Sequence, residues 1–246
     1  ENLFNRICVK GYQIKKFNQY NFMTDTSIAE KIREKKKLFL VREQIIIDSA
    51  RDLLTTQPID KITVSEIAKR ASIGKGTIYK HFQTKDEILV RIMVDYEKGI
   101  SAQLEKGLER AKEGDPGAVS KAYFESRLAN PAIDRLVQKL EDRLCDTEGV
   151  KDQMREFYQI RRSHEESLKS VVSDLISKGI LEDVPPHYHY LSCWALAQGA
   201  IELFFNKTWG DLDDMSQLLG YITSIGVTMG NKGQYHSKGD KKPFKN

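Results

Sequence analysis

The 246 residues include 39 Lys and Arg against 35 Asp and Glu, for a net charge of +4, with 40% apolar and 30% charged side chains. These ordinary fractions describe a soluble globular chain long enough for one extended core, or for a small domain beside a larger one. Cys8, Cys145 and Cys193 are odd in number and lack metal-ligand spacing, which excludes a disulfide framework and fits a reducing, cytoplasmic compartment.

The positive charge is unevenly spread. Residues 23–98 hold 15 Lys and Arg against 12 acids, whereas residues 99–230 hold 15 against 21. A basic amino-terminal third on an acidic body is expected when one part meets nucleic acid and the other does not. Residues 1–22 read as a polar leader, with the natural start expected at Met23. Arg6, Lys10, Lys15 and Lys16 are scattered through this leader, leaving no apolar stretch for a secretory signal.

Helical periodicity runs from about residue 38 to 230 without strand alternation or a hairpin signal, so the expected class is all-α. The first helix should run from Lys35-Lys36-Lys37 to Thr55 or Thr56 and present Ile46, Ala50, Leu53 and Leu54 on one stripe. The basic run Lys31–Lys37 reads either as an arm along a DNA backbone or as a solvated helical face.

Thr63 and Glu66 form a capping box that opens a helix at Val64, with Ile67, Ala68 and Ala71 inward. Ser72-Ile73-Gly74 breaks it, and Lys75–Phe82 resumes helical spacing with Ile78 and Phe82 facing the core. The opposite face carries Lys75, Gly76, Thr77, Tyr79, Lys80 and His81. It offers donors and two fixed cations without a carboxylate, which suits phosphate oxygens and base edges. A phosphate-binding loop is excluded at Gly74–Thr77, because Gly-Lys is not followed directly by Ser or Thr. Tyr79 is expected to reach a phosphate, and His81 either meets DNA or packs. Thr84 and Glu87 read as a second capping box, and Lys85, poorly placed against the helix dipole, is expected to serve an external anion.

Ile67-Ala68, Ala71, Thr77-Ile78-Tyr79-Lys80-His81-Phe82, Lys85 and Leu89 resemble the DNA-binding segment of the TetR family of bacterial transcriptional regulators. The likeness covers roughly residues 42–89. Ser72-Ile73-Gly74 departs from that family's Gly-Val-Ser, so Gly74 must serve as the cap and Ser72 must enter a left-handed conformation that glycine adopts more easily. The resemblance implies a helix-turn-helix DNA-binding domain over 23–83 and a ligand-binding and dimerisation domain over 84–230, with 84–112 as the connecting helix. It further implies that Lys75, Thr77, Tyr79, Lys80 and His81 face the major groove while Arg42, Ser65 and Lys85 hold phosphates, with Thr63 and Gly76 also in the DNA-binding set.

Downstream, the long helix after Thr84 ends at Gly114-Asp115-Pro116-Gly117. Helices are then expected over Ala118–Ala129, Ala132–Cys145, Lys151–Lys178, His187–Thr208 and Asp211–Met229. His164 falls on the apolar stripe with Phe157, Ile160 and Leu168, either as a satisfied core histidine or as a ligand donor and pH-sensitive group. The His187–Thr208 helix is apolar nearly all round and needs cover on two faces; its run Leu191–Phe205, broken by Gln198 and Glu202, is too short to span a bilayer. The tail 231–246 is rich in Lys, Gly and Ser and is expected to be disordered.

No catalytic set, metal site or cofactor fingerprint is visible in this pattern. The resemblance implies a homodimer through the last two helices, a double-stranded DNA operator and a small-molecule effector. Candidate pocket residues are Phe124, Phe157, His164, Trp194 and Gln198. The competing reading is a helical enzyme or small-molecule carrier whose first domain only packs.

Overall fold

A computed structural model describes residues 3–206 and 215–233, with side chains from Ile28 onward. The chain forms α1 (Leu3–Thr56), α2 (Val64–Arg70), α3 (Lys75–Ile78), α4 (Lys85–Lys112), α5 (Ala118–Leu128), α6 (Pro131–Leu144), α7 (Lys151–Ser177), α8 (Pro186–Phe205) and α9 (Met215–Thr228). Single 3-10 turns at Ile59–Lys61 and Glu148–Val150 precede α2 and α7. Among the described residues the only β pairing is an isolated bridge between Leu181 and Asn231.

Two expected boundaries need correction. The first helix does not begin near Lys35 but runs from Leu3, since no proline lies between Leu3 and Thr56 to stop it. Its side chains from Ile28 to Arg42 are exposed, so the basic run Lys31–Lys37 stands on a solvated helical face. At the other end, Asn231 and Lys232 are fastened to Leu181 and Ile180, and the Gly233 amide donates to Glu182. The disorder expected from residue 231 therefore does not apply to Asn231–Gly233, and the rest of that tail, like Thr208 and Asp211, lies outside the described residues.

Local chemistry accounts for the helix ends. Thr63 accepts the Glu66 amide while Glu66 takes the Thr63 amide, so the capping box at α2 is complete. At α4 only half of the expected box forms: Thr84 accepts from the Glu87 amide, but the Glu87 carboxylate reaches past Thr84 to the amide of Gln83. Asn130 caps α6 by accepting from the Ile133 amide, with Pro131 in the first turn, where its missing N–H costs nothing. Gly179, at φ 69°, closes α7 in the left-handed region that glycine enters without strain.

One hydrophobic core joins the helix-turn-helix to α4, α6 and α7. Ile46, Ile47 and Ala50 of α1 meet Ile67 and Ile78 of the two short helices and Ile88, Leu89, Ile92 and Met93 of α4. The same cluster continues through Leu136, Val137 and Leu140 of α6 to Met154 and Phe157 of α7. Fully burying each large side chain contributes about 1.5–3 kcal/mol, so α4 is held from both sides along its amino-terminal half. Its carboxy-terminal half packs on α5, where Gly107 lies against Ala118 and Ala122 without room for a side chain. Helix α9 in turn presses on α5: a methyl built on Gly226 would overlap the Phe124 ring, and one on Gly117 would meet Val227 at 2.8 Å.

Candidate nucleic-acid interface and ligand cavity

The corner between α2 and α3 depends on one unusual residue. Ser72 adopts φ 54°, the left-handed conformation that lets the chain reverse before Gly74 starts α3 in extended geometry. Gly74 supplies no side-chain cap, and Ile73 packs against the core beneath the turn. Regular α-helix covers only Lys75–Ile78, but amide bonds from Lys80, His81 and Phe82 back to Thr77 and Ile78 carry the helical path on to Phe82. Ile78 and Phe82 are buried, which turns the other side of this segment outward.

That outward side presents Lys75, Gly76, Tyr79 and Lys80 to solvent, with Thr77 half-buried. Tyr79 is 49% exposed, and the Lys75 ammonium stands 5.8 Å from its ring centre. Lys75, Lys80 and, one helix away, Arg42 form no ion pair among the described residues, so their charge faces outward uncompensated. Ser65 is exposed on α2 beside this surface.

Two expected site residues turn toward the protein itself, and a third holds the expected helix cap. The His81 ring stacks on Phe39 of α1 at 4.0 Å between ring centres, with Nδ1 buried and unpartnered. Desolvation, offset partly by Glu43 and aided by Arg42, lowers its pKa, so His81 is a half-buried neutral prop beneath the ridge. The Lys85 ammonium turns inward and donates to the carbonyls of Ile59 and Ile62 at 3.2 and 3.1 Å. It satisfies the end of the 3-10 turn there, which removes the reason for assigning it to an external anion. The Thr63 hydroxyl is occupied with Glu66 in the cap.

The second feature is a cavity of about 600 Å³ lined by α4 to α8 and the end of α9, of the size that small-molecule sites ordinarily have. Its wall includes His164, Trp194 and Gln198. Phe124 and Phe157 do not line it. Phe124 is fully buried against Gly226, and Phe157 lies in the core under the Arg161 guanidinium, 4.2 Å from its ring centre. In the sequence a core aromatic and a pocket aromatic share one helical spacing, which is why the two were not separated.

The polar part of the wall extends well beyond the expected His164 and Gln198. Arg127 donates to both oxygens of Asp134 at 2.5 and 2.6 Å, to the Tyr123 hydroxyl and to Gln198. Asp134 also accepts from the Tyr96 hydroxyl and from Gln138. Burial, followed by the Asp134 charge, pushes the Tyr96 phenol well above its usual range, so it stays a donor. Alongside, Arg161 donates to Glu97 at 3.1 Å and to both oxygens of Glu141 at 2.7 and 2.8 Å. His164 bonds Ser101 through Nε2 and lies with Nδ1 3.9 Å from Glu97. A signal for Glu97 and Arg161 was present: Met93, Glu97, Ile100 and Leu104 share one stripe of α4, and Phe157, Arg161, His164 and Leu168 share one of α7. Charged residues at such inward positions point to a polar interior.

The structure thus combines a helix-turn-helix that bears a cationic ridge with a helical body that lines a ligand-sized cavity. Residues 46–92 match the family model described as bacterial regulatory proteins, tetR family. The HTH-type transcriptional regulator SrpR of Pseudomonas putida is 29% identical over 72 residues, which are 28% of this chain and 34% of SrpR. The chain thus aligns with about a third of that relative's length. A bacterial regulatory protein of the tetR family from Rhodococcus RHA1 superposes with TM-score 0.60 at 17% identity, covering 77% of this chain and 97% of that one. The regulator FadR from Bacillus subtilis, solved in complex with stearoyl-CoA, gives 0.58 at 19%, covering 78% and 99%. These two likenesses are of fold, from the reading head through the helical body. The likeness to the tetR family's DNA-binding segment is thus confined to the amino-terminal part of the chain, residues 46–92.

Among the described residues no helix is long and apolar enough to cross a membrane.

Proposed function

We propose that the protein is a homodimeric transcriptional repressor that grips an operator through residues 23–83 and is released when a small molecule enters the cavity of residues 84–230. The carrying observation is the ridge of Lys75, Gly76, Tyr79 and Lys80, exposed and without internal ion pairs. In this reading Lys75, Gly76, Thr77, Tyr79 and Lys80 enter the major groove while Arg42 and Ser65 meet phosphates. Thr63 and Lys85 hold the scaffold, and His81 supports the ridge from below.

Dimerisation is assigned to α8 and α9. Leu191, Trp194 and Phe204 of α8 and Tyr221 and Ile225 of α9 are large apolar side chains left exposed in a single copy. A two-fold pair would set its ridges one DNA turn apart, about 34–36 Å, or a multiple of it. The rival, a helical enzyme or carrier whose first domain only packs, would use the same cavity but gives no reason for an unpaired cationic ridge. The protein's work is taken to be binding rather than catalysis, on DNA inside the cell.

The test is a salt-dependent titration of the full chain on the DNA flanking its own gene, followed by footprinting. Specific binding with a steep negative salt slope supports the regulator, whereas flat, weak binding supports the rival. Lys80→Ala should reduce that slope by about one unit if Lys80 meets a phosphate.

A further inference from the structure

The cavity wall is unbalanced in charge. Five carboxylates face it, Glu97, Asp134, Glu141, Asp142 and Glu165, against the two guanidinium groups of Arg127 and Arg161. Neither guanidinium is free for an anion. Arg127 already serves Asp134, Tyr123 and Gln198, and Arg161 stands between Glu97 and Glu141. One cation shared by two carboxylates leaves the inner end of the cavity one negative charge in excess.

Glu97 carries that excess to a defined point. Its side chain is only 7% exposed, and Oε2 accepts from Arg161. Oε1 forms no hydrogen bond among the described residues, and His164 Nδ1 stands 3.9 Å from it. Burial is the largest influence on His164 and lowers its pKa, so at neutral pH the imidazole supplies no positive charge there. Burial raises the Glu97 pKa and the Arg161 guanidinium lowers it, so a second cation at Oε1 would further favour the carboxylate form. Away from this point the wall turns apolar through Ile100, Leu104, Leu168, Val171 and Leu175, with Trp194 at one side.

We propose that the cavity takes an amphipathic organic cation, its apolar body lying along α4 and α7 and a protonated nitrogen donating to Glu97 Oε1. A wholly apolar occupant would bury that oxygen without a donor, and an anionic one would meet Glu97, Glu141 and Asp134 at close range. A cationic nitrogen answers both the missing hydrogen bond and the excess charge. This choice separates the present cavity from that of a relative holding an acyl thioester of a phosphorylated carrier. It rests on the effector reading of the cavity given above.

The test uses three probes that share one chain, decylamine, decanol and decanoate, titrated calorimetrically at neutral pH into the full-length protein below their micelle-forming concentrations. Expected is tighter binding of decylamine than of decanol, by about tenfold or more, with decanoate weakest. Glu97→Gln, which keeps the shape and removes the charge, should erase most of the amine's advantage and leave decanol unchanged. Decanoate binding as well as the amine, an amine-to-alcohol ratio near one in the native protein, or no binding by any probe would each overturn the assignment. The native-protein ratio stands even if the variant fails to fold. Operator binding is read separately by mobility shift: amine binding through Glu97 without release of DNA would sink the effector reading and leave the site intact.

Discussion

Arg143, in the last turn of α6, donates to the carboxylate of Asp60 in the turn just ahead of α2, while the first turn of the same helix sets Asp134 in the cavity wall. The bond to Arg143 holds the Asp60 carboxyl below its usual pKa and draws the Arg143 pKa upward. Helix α6 therefore has one end at the cavity and the other at the helix-turn-helix.

Both partners are solvent-exposed, so this pair adds little to stability, and its consequence should lie in coupling. Arg143→Ala is expected to leave ligand affinity and the melting temperature nearly unchanged. The ratio of operator affinities without and with ligand, ordinarily about 5–150-fold in such systems, should shrink toward one. DNA titrations in the presence and absence of ligand measure that ratio, and an unaltered value would confine Arg143 to the surface.

Gly76 has open space where a side chain would stand, so nothing within the chain requires glycine there. Gly76→Ala should raise stability by up to about 1 kcal/mol through helix propensity and still weaken operator binding, because the added methyl points into the gap between backbone and groove. Thermal melts paired with DNA titration check both halves. A stabilised variant with full affinity would show that this backbone does not approach DNA closely.

His164 links stability to pH. It faces Ser101, Glu97 and Glu105 on α4 and Arg161 on its own helix, and its folded pKa lies below the ordinary 6.5 because burial disfavours the imidazolium. The unfolded chain then binds more protons in the window below about 6.5, so the contribution is complete above that pH and is lost as pH falls through it. Denaturant melts of His164→Gln from pH 7.5 to 5.5 should show a shallower decline than the parent. Some decline will remain, because His81 is shifted in the same direction. Parallel curves would assign the acid sensitivity elsewhere.

The contact of Gly226 with Phe124 predicts an overpacking penalty. Gly226→Ala should cost about 1–3 kcal/mol in urea unfolding, and Phe124→Leu in the same chain should recover part of it. Additive losses in the double variant would mean that the two residues do not share one space.

The reading head was legible because its signals are local. Thr63 with Glu66, the break at Ser72, and the Ile78 and Phe82 spacing each fix geometry within a few residues, and the helical class follows from periodicity alone. What escaped depends on partners far along the chain. Nothing near Lys85 shows that its ammonium closes a turn ending at Ile62, and nothing near His81 shows that Phe39 covers it. Phe124 reads the same whether it lines a cavity or fills a gap left by Gly226, more than one hundred residues later. Glu97 and Arg161 were readable as charges on inward stripes, but their meeting requires α4 and α7 to be packed together.

Because the apolar interior passes without a break from Ile46 under the helix-turn-helix to Phe157 in the body, the two are expected to melt together. A molecule that settles in the cavity must therefore steady the whole chain, lifting one shared thermal midpoint in proportion to the logarithm of its concentration. Candidate inducers can be ranked by heating the purified protein, before any promoter has been found.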